Sequence, residues 1–329
     1  MKLNRRTITL GCIMAISGLT GTAAMAQADK YPQRPIKFVV PFPAGGGTDN
    51  LTRLVAQKLT EDNGWAIVVE NKPGAGGNVA LDTTAKSPAD GLTLVMAQTD
   101  NVVLNSLLYS KLPYDPIKDL RPVAMVAAGP AVVVVNADSP YKTLSDVHAA
   151  AKKNPGKLTF ASPGTGSLSH VILEAWQKSA GVNLQHVPYR GMSQAMPDLL
   201  GGRVDLYMGS VPTLLSHIQS GKVRALGVTT AERSHLIPEV PTYGEQGIKG
   251  IELASVWGVM APAGTPDDIV KNLNVAIGKA VTDPVTKKKI LDSGAQFLGG
   301  GTPKDLEDKN NLDRNILRPI IKDSGMSLE

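Results

Sequence analysis

The chain has 329 residues, 34 Lys and Arg against 29 Asp and Glu, and one cysteine. That length is enough for two lobes with buried cores. A net charge of only +5, with no basic stripe carrying interleaved aromatics, argues against a nucleic-acid binder.

Lys2, Arg5 and Arg6 open the chain, an apolar stretch runs from Ile8 to about Leu19, and small residues end in Ala24-Met25-Ala26. This is the order of a secretory signal peptide cleaved after Ala26, and it predicts a periplasmic protein. The apolar stretch is shorter than the roughly 20 residues of a spanning helix. The Arg5-Arg6 pair leaves the export route open between the general and the twin-arginine pathway. Cys12 lies inside the signal, so the mature chain has no disulfide, no thiolate catalyst and no cysteine metal site. Removing residues 1–26 leaves 31 basic against 29 acidic side chains, a balance of +2.

Strand and helix signals then alternate, which predicts an α/β fold with a parallel sheet. Strands are expected at 36–40, 66–70 and 92–97, with helices starting near Asp49 and Asn78. The first strand ends in Pro41-Phe42-Pro43-Ala44-Gly45-Gly46-Gly47, and Thr48, Asp49 and Asn50 are good helix caps. A glycine turn feeding a helix leaves backbone N–H groups and partial positive charge at the helix start, which suits a carboxylate or phosphate. No Gly-Lys-Ser/Thr follows, so this is not a nucleotide P-loop. Proline-rich 109–116 cannot be helix interior.

The apolar run 123–135, broken by Gly129-Pro130, reads as two strands or one bent strand passing between lobes. A second series follows, with strands at 157–161, 184–188, 204–208 and 224–228. Its helices are expected at 145–152, 168–179, 193–200 and 212–220. The stretch 251–260 reads as a return to the first lobe, and three helices close the chain. Lobe one is thus expected to comprise 27–130 and 251–329, and lobe two 131–250, joined by a two-crossing hinge. Ligands of such folds sit beyond the carboxyl ends of the strands.

Ser162-Pro-Gly-Thr-Gly-Ser167 repeats the logic of the first loop, with Ser167 capping a helix. Ser169 stands where a dinucleotide fingerprint needs its third glycine, so a nicotinamide site is not expected. His170, on the first turn, is a candidate ligand contact or a capping histidine. The other histidines show no metal spacing, and neither His-Glu-x-x-His nor Gly-x-Ser-x-Gly occurs. Asp49 and Asp205 are candidates for one cleft, but Asp205 reads first as a strand-end residue holding a loop.

These motifs resemble one family, the substrate-binding proteins of tripartite tricarboxylate transport systems, of the Bordetella uptake gene (Bug) type. The resemblance rests on Tyr31-Pro-x-Arg-Pro-Ile, Val40-Pro-Phe-Pro-Ala-Gly-Gly-Gly-Thr-Asp49, Val69-Glu-Asn-Lys-Pro-Gly-Ala-Gly-Gly77 and Leu112-Pro-Tyr-Asp-Pro116. Ser162–Ser167 with His170, Val187-Pro-Tyr-Arg-Gly191, Gly202-Arg-Val-Asp205, Trp257-Gly258 and Ala261-Pro-Ala-Gly-Thr-Pro266 continue it in order. It implies a two-lobe periplasmic binding protein of type II-like fold, a Venus flytrap closing on an organic acid. Its implied ligand contacts are Phe42, Ala44, Gly45, Gly46 and Asp49 in lobe one. In lobe two they are Ser162, Thr165, Gly166, Ser167, Tyr189, Gly191 and Asp205, beside the candidate His170.

The family implies no catalytic residue, metal or cofactor. Its implied partners are a small organic acid and the membrane subunits of a transporter, with a sensor kinase as the alternative; a monomer is expected because the lobes must move. Ser106 stands where the family often has proline, and Arg190 is a candidate partner for a second ligand carboxylate. An esterase-like reading would use Ser162 or Ser167 with His170, but no orienting acid or nucleophile elbow accompanies them.

Overall fold

The computed structural model describes residues 31–328, so the signal-peptide reading of 1–26 lies outside the described residues. Lobe one begins β1 (Ile36–Val40), α1 (Gly47–Asn63), β2 (Ile67–Asn71), α2 (Asn78–Ala85) and β3 (Thr93–Gln98). A wide helical turn, Asp100–Leu104, runs into α3 (Asn105–Leu108). Then β4 (Leu120–Asn136) carries the chain into lobe two. Lobe two holds α4 (Leu144–Lys153), β5 (Thr159–Ser162), α5 (Leu168–Ala180), β6 (Gln185–Pro188), α6 (Met192–Leu200), β7 (Leu206–Ser210), α7 (Val211–Gln219) and β8 (Val223–Val228). The return strand β9 (Ala254–Pro262) leads to α8 (Asp267–Thr282), α9 (Pro284–Asp292), β10 (Gln296–Phe297) and α10 (Pro303–Ser324).

One bent strand, not two, spans the lobes. Gly129-Pro130 does not break β4, because its pairing changes hands there. Residues 120–130 pair antiparallel with β9, while Ala131–Val135 pair with β7 and Val132–Asn136 with β8. Proline cannot donate to a ladder, and the register skips between Pro122 and Ala124. The sheet runs β2-β1-β3-β9-β4-β7-β5-β6. It is parallel within β2-β1-β3 and within β7-β5-β6. The parallel sheet expected from the alternation is thus present within each lobe, and the crossing strands make the whole sheet mixed. β4 and β9 cross the hinge in opposite directions, so they pair antiparallel with each other.

Within each lobe the parallel strands share one direction, opposite between the lobes, and each feeds a helical segment from its carboxyl end. β1 stops at Pro41, and Gly46 is the N-cap of α1. The α1 residues Leu51, Val55, Ala56 and Leu59 are buried with Phe38, Leu94 and Val259 in one lobe-one core. In lobe two, Ser167 caps α5 by accepting the His170 N–H, and Gly181 ends the helix at φ 62°. Leu168, Val171, Ile172 and Trp176 of α5 pack with Phe160 and Leu206. Val103, Leu104 and Leu108, and Leu317 and Ile321 of α10, pack into that same lobe-two core. Leu306, near the start of α10, packs in lobe one beside Val102 and Met260. The last helix thus bridges both lobes.

Candidate functional site

The loop after β1 is held by a side-chain network anchored on Asp49. Its Oδ2 accepts the Gly45 N–H at 2.9 Å and Arg53 Nε at 3.0 Å, and Oδ1 accepts Asn71 Nδ2 at 2.9 Å. Asn71 also donates to the Phe42 carbonyl at 3.0 Å. Burial pushes the Asp49 carboxyl up, but bonds from Arg53, Gly45 and Asn71 with the Arg53 charge outweigh it and hold the group below the usual range. The carboxylate sits at the start of α1 yet points into the loop it organises. Ala44 and Gly45 are exposed, Phe42 and Gly46 half-buried. The N–H groups of Ala44 and Gly46 donate to no group among the described residues.

The lobe-two loop is built the same way. Ser162 is fully buried; its Oγ bonds the Gly164 carbonyl and N–H and lies 2.7 Å from His186 Nε2. His170 Nδ1 accepts the Gly166 N–H at 3.2 Å, and its ring stacks on His186 with centroids 3.8 Å apart. Ser167 Oγ donates to the Gly164 carbonyl at 2.7 Å. Gly191, the N-cap of α6 at φ 96°, donates to the Pro163 carbonyl at 3.1 Å. Thr165 is exposed at the tip, and its N–H has no acceptor among the described residues. Ser162 is buried and bonded on three sides, and Ser167 Oγ is spent on the Gly164 carbonyl and the His170 backbone N–H while His170 Nδ1 takes the Gly166 N–H, so neither serine is paired with the His170 ring as the esterase-like reading requires.

Three sequence candidates have their side-chain polar groups engaged within the lobe. Asp205 stands just before β7, at the amino ends of the strands, where Oδ2 accepts the Thr159 N–H and O–H at 2.8 Å each. The glycine loops lie at the carboxyl ends. The Tyr189 hydroxyl is spent on Asp198 Oδ2 at 2.8 Å, with its ring packed into a lobe-two core. The His170 ring faces Gly166, His186 and Glu174 within the lobe. Arg190 is exposed beside Gly191.

Other groups around the glycine loops carry no local sequence signal. Asp100, from the lobe-one turn, accepts the first N–H of α5, from Leu168, at 3.0 Å and the Ser255 hydroxyl at 3.2 Å. Burial pushes its carboxyl up against those bonds. Part of the α5 dipole is therefore met by an internal carboxylate. Trp257 of β9 donates from Nε1 to Thr48 Oγ1 at 2.9 Å. Cβ positions built on Gly129 and Gly47 lie 2.5 Å from Trp257 Cη2 and 3.6 Å from Thr213 Oγ1 of α7. The starts of α1 and α7 thus meet across the hinge, with the Trp257 indole beside Gly47.

His186 gives this site a pH signature. Burial, then the His170 ring, hold its pKa down to about 4 against an ordinary 6.5, with Glu174 opposing them. The folded ring stays neutral while the unfolded one takes a proton. Its contribution is therefore complete above pH 6.5 and is withdrawn as pH falls toward 4. Discounted for partial exposure, the loss is about 1–2 kcal/mol. Urea unfolding at pH 7 and pH 4 should show wild type losing that much more than His186→Gln; equal losses would remove the assignment.

BugT of Bordetella pertussis is 37% identical over 296 residues, 90% of each chain. The solved periplasmic binding protein BugD superposes with a TM-score of 0.84 at 33% identity, over 91% of this chain and all of that one (100%). An R. palustris protein solved with adipate gives 0.86 at 34%, over 90% and 99%. The model of the tripartite tricarboxylate transporter family receptor matches residues 51–311, and the chain belongs to that family, whose members are solute receptors and not enzymes.

Proposed function

We propose that this receptor captures a small organic carboxylate between its lobes and delivers it to the membrane subunits of a tripartite tricarboxylate transporter. One observation carries the reading. Asp49, Ser162, His170 and His186 all bond to loop groups or to one another, so the loops are rigid, while the Ala44, Gly46 and Thr165 N–H groups stay unspent at helix starts. Donors fixed before the ligand arrives lose little freedom on binding. The ligand contacts on this reading are Phe42, Ala44, Gly45 and Gly46 from lobe one and Thr165, Gly166, Ser167 and Gly191 from lobe two. Ligand contact with both lobes favours the closed state, which the transporter reads. The relative solved with adipate makes a dicarboxylate the first class to try. A signal peptide over residues 1–26 would deliver the chain to the periplasm.

The test is thermal unfolding of residues 27–329 against a panel of mono-, di- and tricarboxylates, after denaturing and refolding to strip any bound acid. A ligand at 100 times its Kd should add about 2.7 kcal/mol, a shift of a few degrees. No shift with any acid would overturn the carboxylate reading.

A further inference from the structure

A second anion-binding geometry lies away from the glycine loops, where the segment after α3 meets α10. A cavity of about 330 Å³ is lined by Ser106, Tyr109, Tyr114, Asp115, Arg314 and Arg318, with Leu112, Pro116 and Ile117 as its apolar wall. That volume lies in the range of small-molecule sites. Arg314 is only 8% exposed, and its Nε has no partner among the described residues. Its Nη1 donates to Asn311 at 2.7 Å. Arg318 is one turn further along the same helix face, and like charges at that spacing repel.

The one carboxylate in the lining, Asp115, offsets this charge only in part: burial and then the Arg318 charge still hold the Arg314 guanidinium below its usual range. Asp115 Oδ1 accepts the Ile117 and Lys118 N–H groups at 2.9 and 3.2 Å, and Oδ2 faces Lys118 Nζ at 3.4 Å. The Tyr114 hydroxyl donates to Asn78, and Ser106 Oγ to the Val103 carbonyl. The Tyr109 hydroxyl has no hydrogen-bond partner among the described residues and is a further donor. Arg314 Nε is closed off from the cavity, so Arg314 offers its Nη2, which makes no hydrogen bond among the described residues; with a second arginine and a phenol it forms a fork for an oxyanion.

We propose that this cavity binds a small oxyanion, a carboxylate or a phosphate, held between Arg314 and Arg318 with Tyr109 as third donor. The site is independent of the interlobe cleft, since no glycine-loop residue lines it.

The experiment is a 15N NMR titration of residues 27–329 with inorganic phosphate and, separately, with succinate at constant ionic strength. Expected are saturable shifts of the Arg314 Nε–H and of the amides of 106–117 with at least one anion; which anion binds tighter names the source. Arg318→Gln, at an exposed position, should weaken that binding at least tenfold, and Arg314→Lys should weaken it while keeping the fold. No saturable shift with either anion, unchanged affinity in both variants, or shifts confined to 42–48 and 162–167 would each overturn the proposal.

Discussion

Trp257→Ala should destabilise the protein by about 3–5 kcal/mol and abolish ligand-dependent stabilisation. The indole is 2% exposed and packs in a lobe-one core with Phe38, Val259 and Leu273. It also stands on the return crossing, in register with Ala127 of β4 and Gln98 of β3. Truncation opens a cavity under Gly129 and releases Thr48 at the start of α1. Trp257→Phe separates these effects. It keeps most of the packing but loses the bond to Thr48, at a cost of about 1 kcal/mol. Urea unfolding of both variants reads the difference. A loss below about 1 kcal/mol for the alanine variant would show that the hinge does not rest on this side chain.

Asp49→Ala should cost about 2–3 kcal/mol and weaken cleft binding at least tenfold. Three donors would lose their acceptor at once: the Gly45 N–H, Arg53 and Asn71. Arg53 is half exposed and recovers water, which keeps the cost at the lower end. Because its pKa is depressed in the fold, the Asp49 contribution is present above the ordinary carboxylate range and lost as pH falls through the folded value. The variant should therefore show a shallower acid limb than wild type. Calorimetric titration with whichever acid stabilises the wild type measures the binding effect. Undiminished affinity would mean that the loop holds its shape without this carboxylate.

Both glycine loops were legible because their information is local. Proline ends the strand, glycine permits the turn, and a hydroxyl or glycine caps the helix, all within about eight residues. The groups that hold the loops are not local. Asn71 reaches Asp49 across 22 residues, Asp100 reaches Leu168 across 68, and Trp257 reaches Thr48 across 209. No periodicity encodes such pairs. The same limit holds for Tyr189, whose hydroxyl is oriented by Asp198, whereas Asp205 holds neighbouring backbone through Thr159, in line with its first reading as a residue that holds structure by hydrogen bonds. The turn Asp100–Leu104 and α3 were missed because Asn101, Asn105 and Asp100 interrupt the apolar pattern. Asn101 and Asn105 instead bond the Gly76 carbonyl, and Asn105 also bonds Asn78. The single strand β4 was readable only as an alternative, since nothing local shows that Gly129-Pro130 falls where one partner replaces another.

The bridging course of α10 bears on when the protein can fold. Leu306 completes one core, while Leu317 and Ile321 complete another, and all three are made after every other described element. Lobe one also waits for β9, whose partners β3 and β4 were synthesised more than a hundred residues earlier. A nascent chain therefore carries two unfinished cores until its final helix is available, and non-local contacts of this kind form slowly.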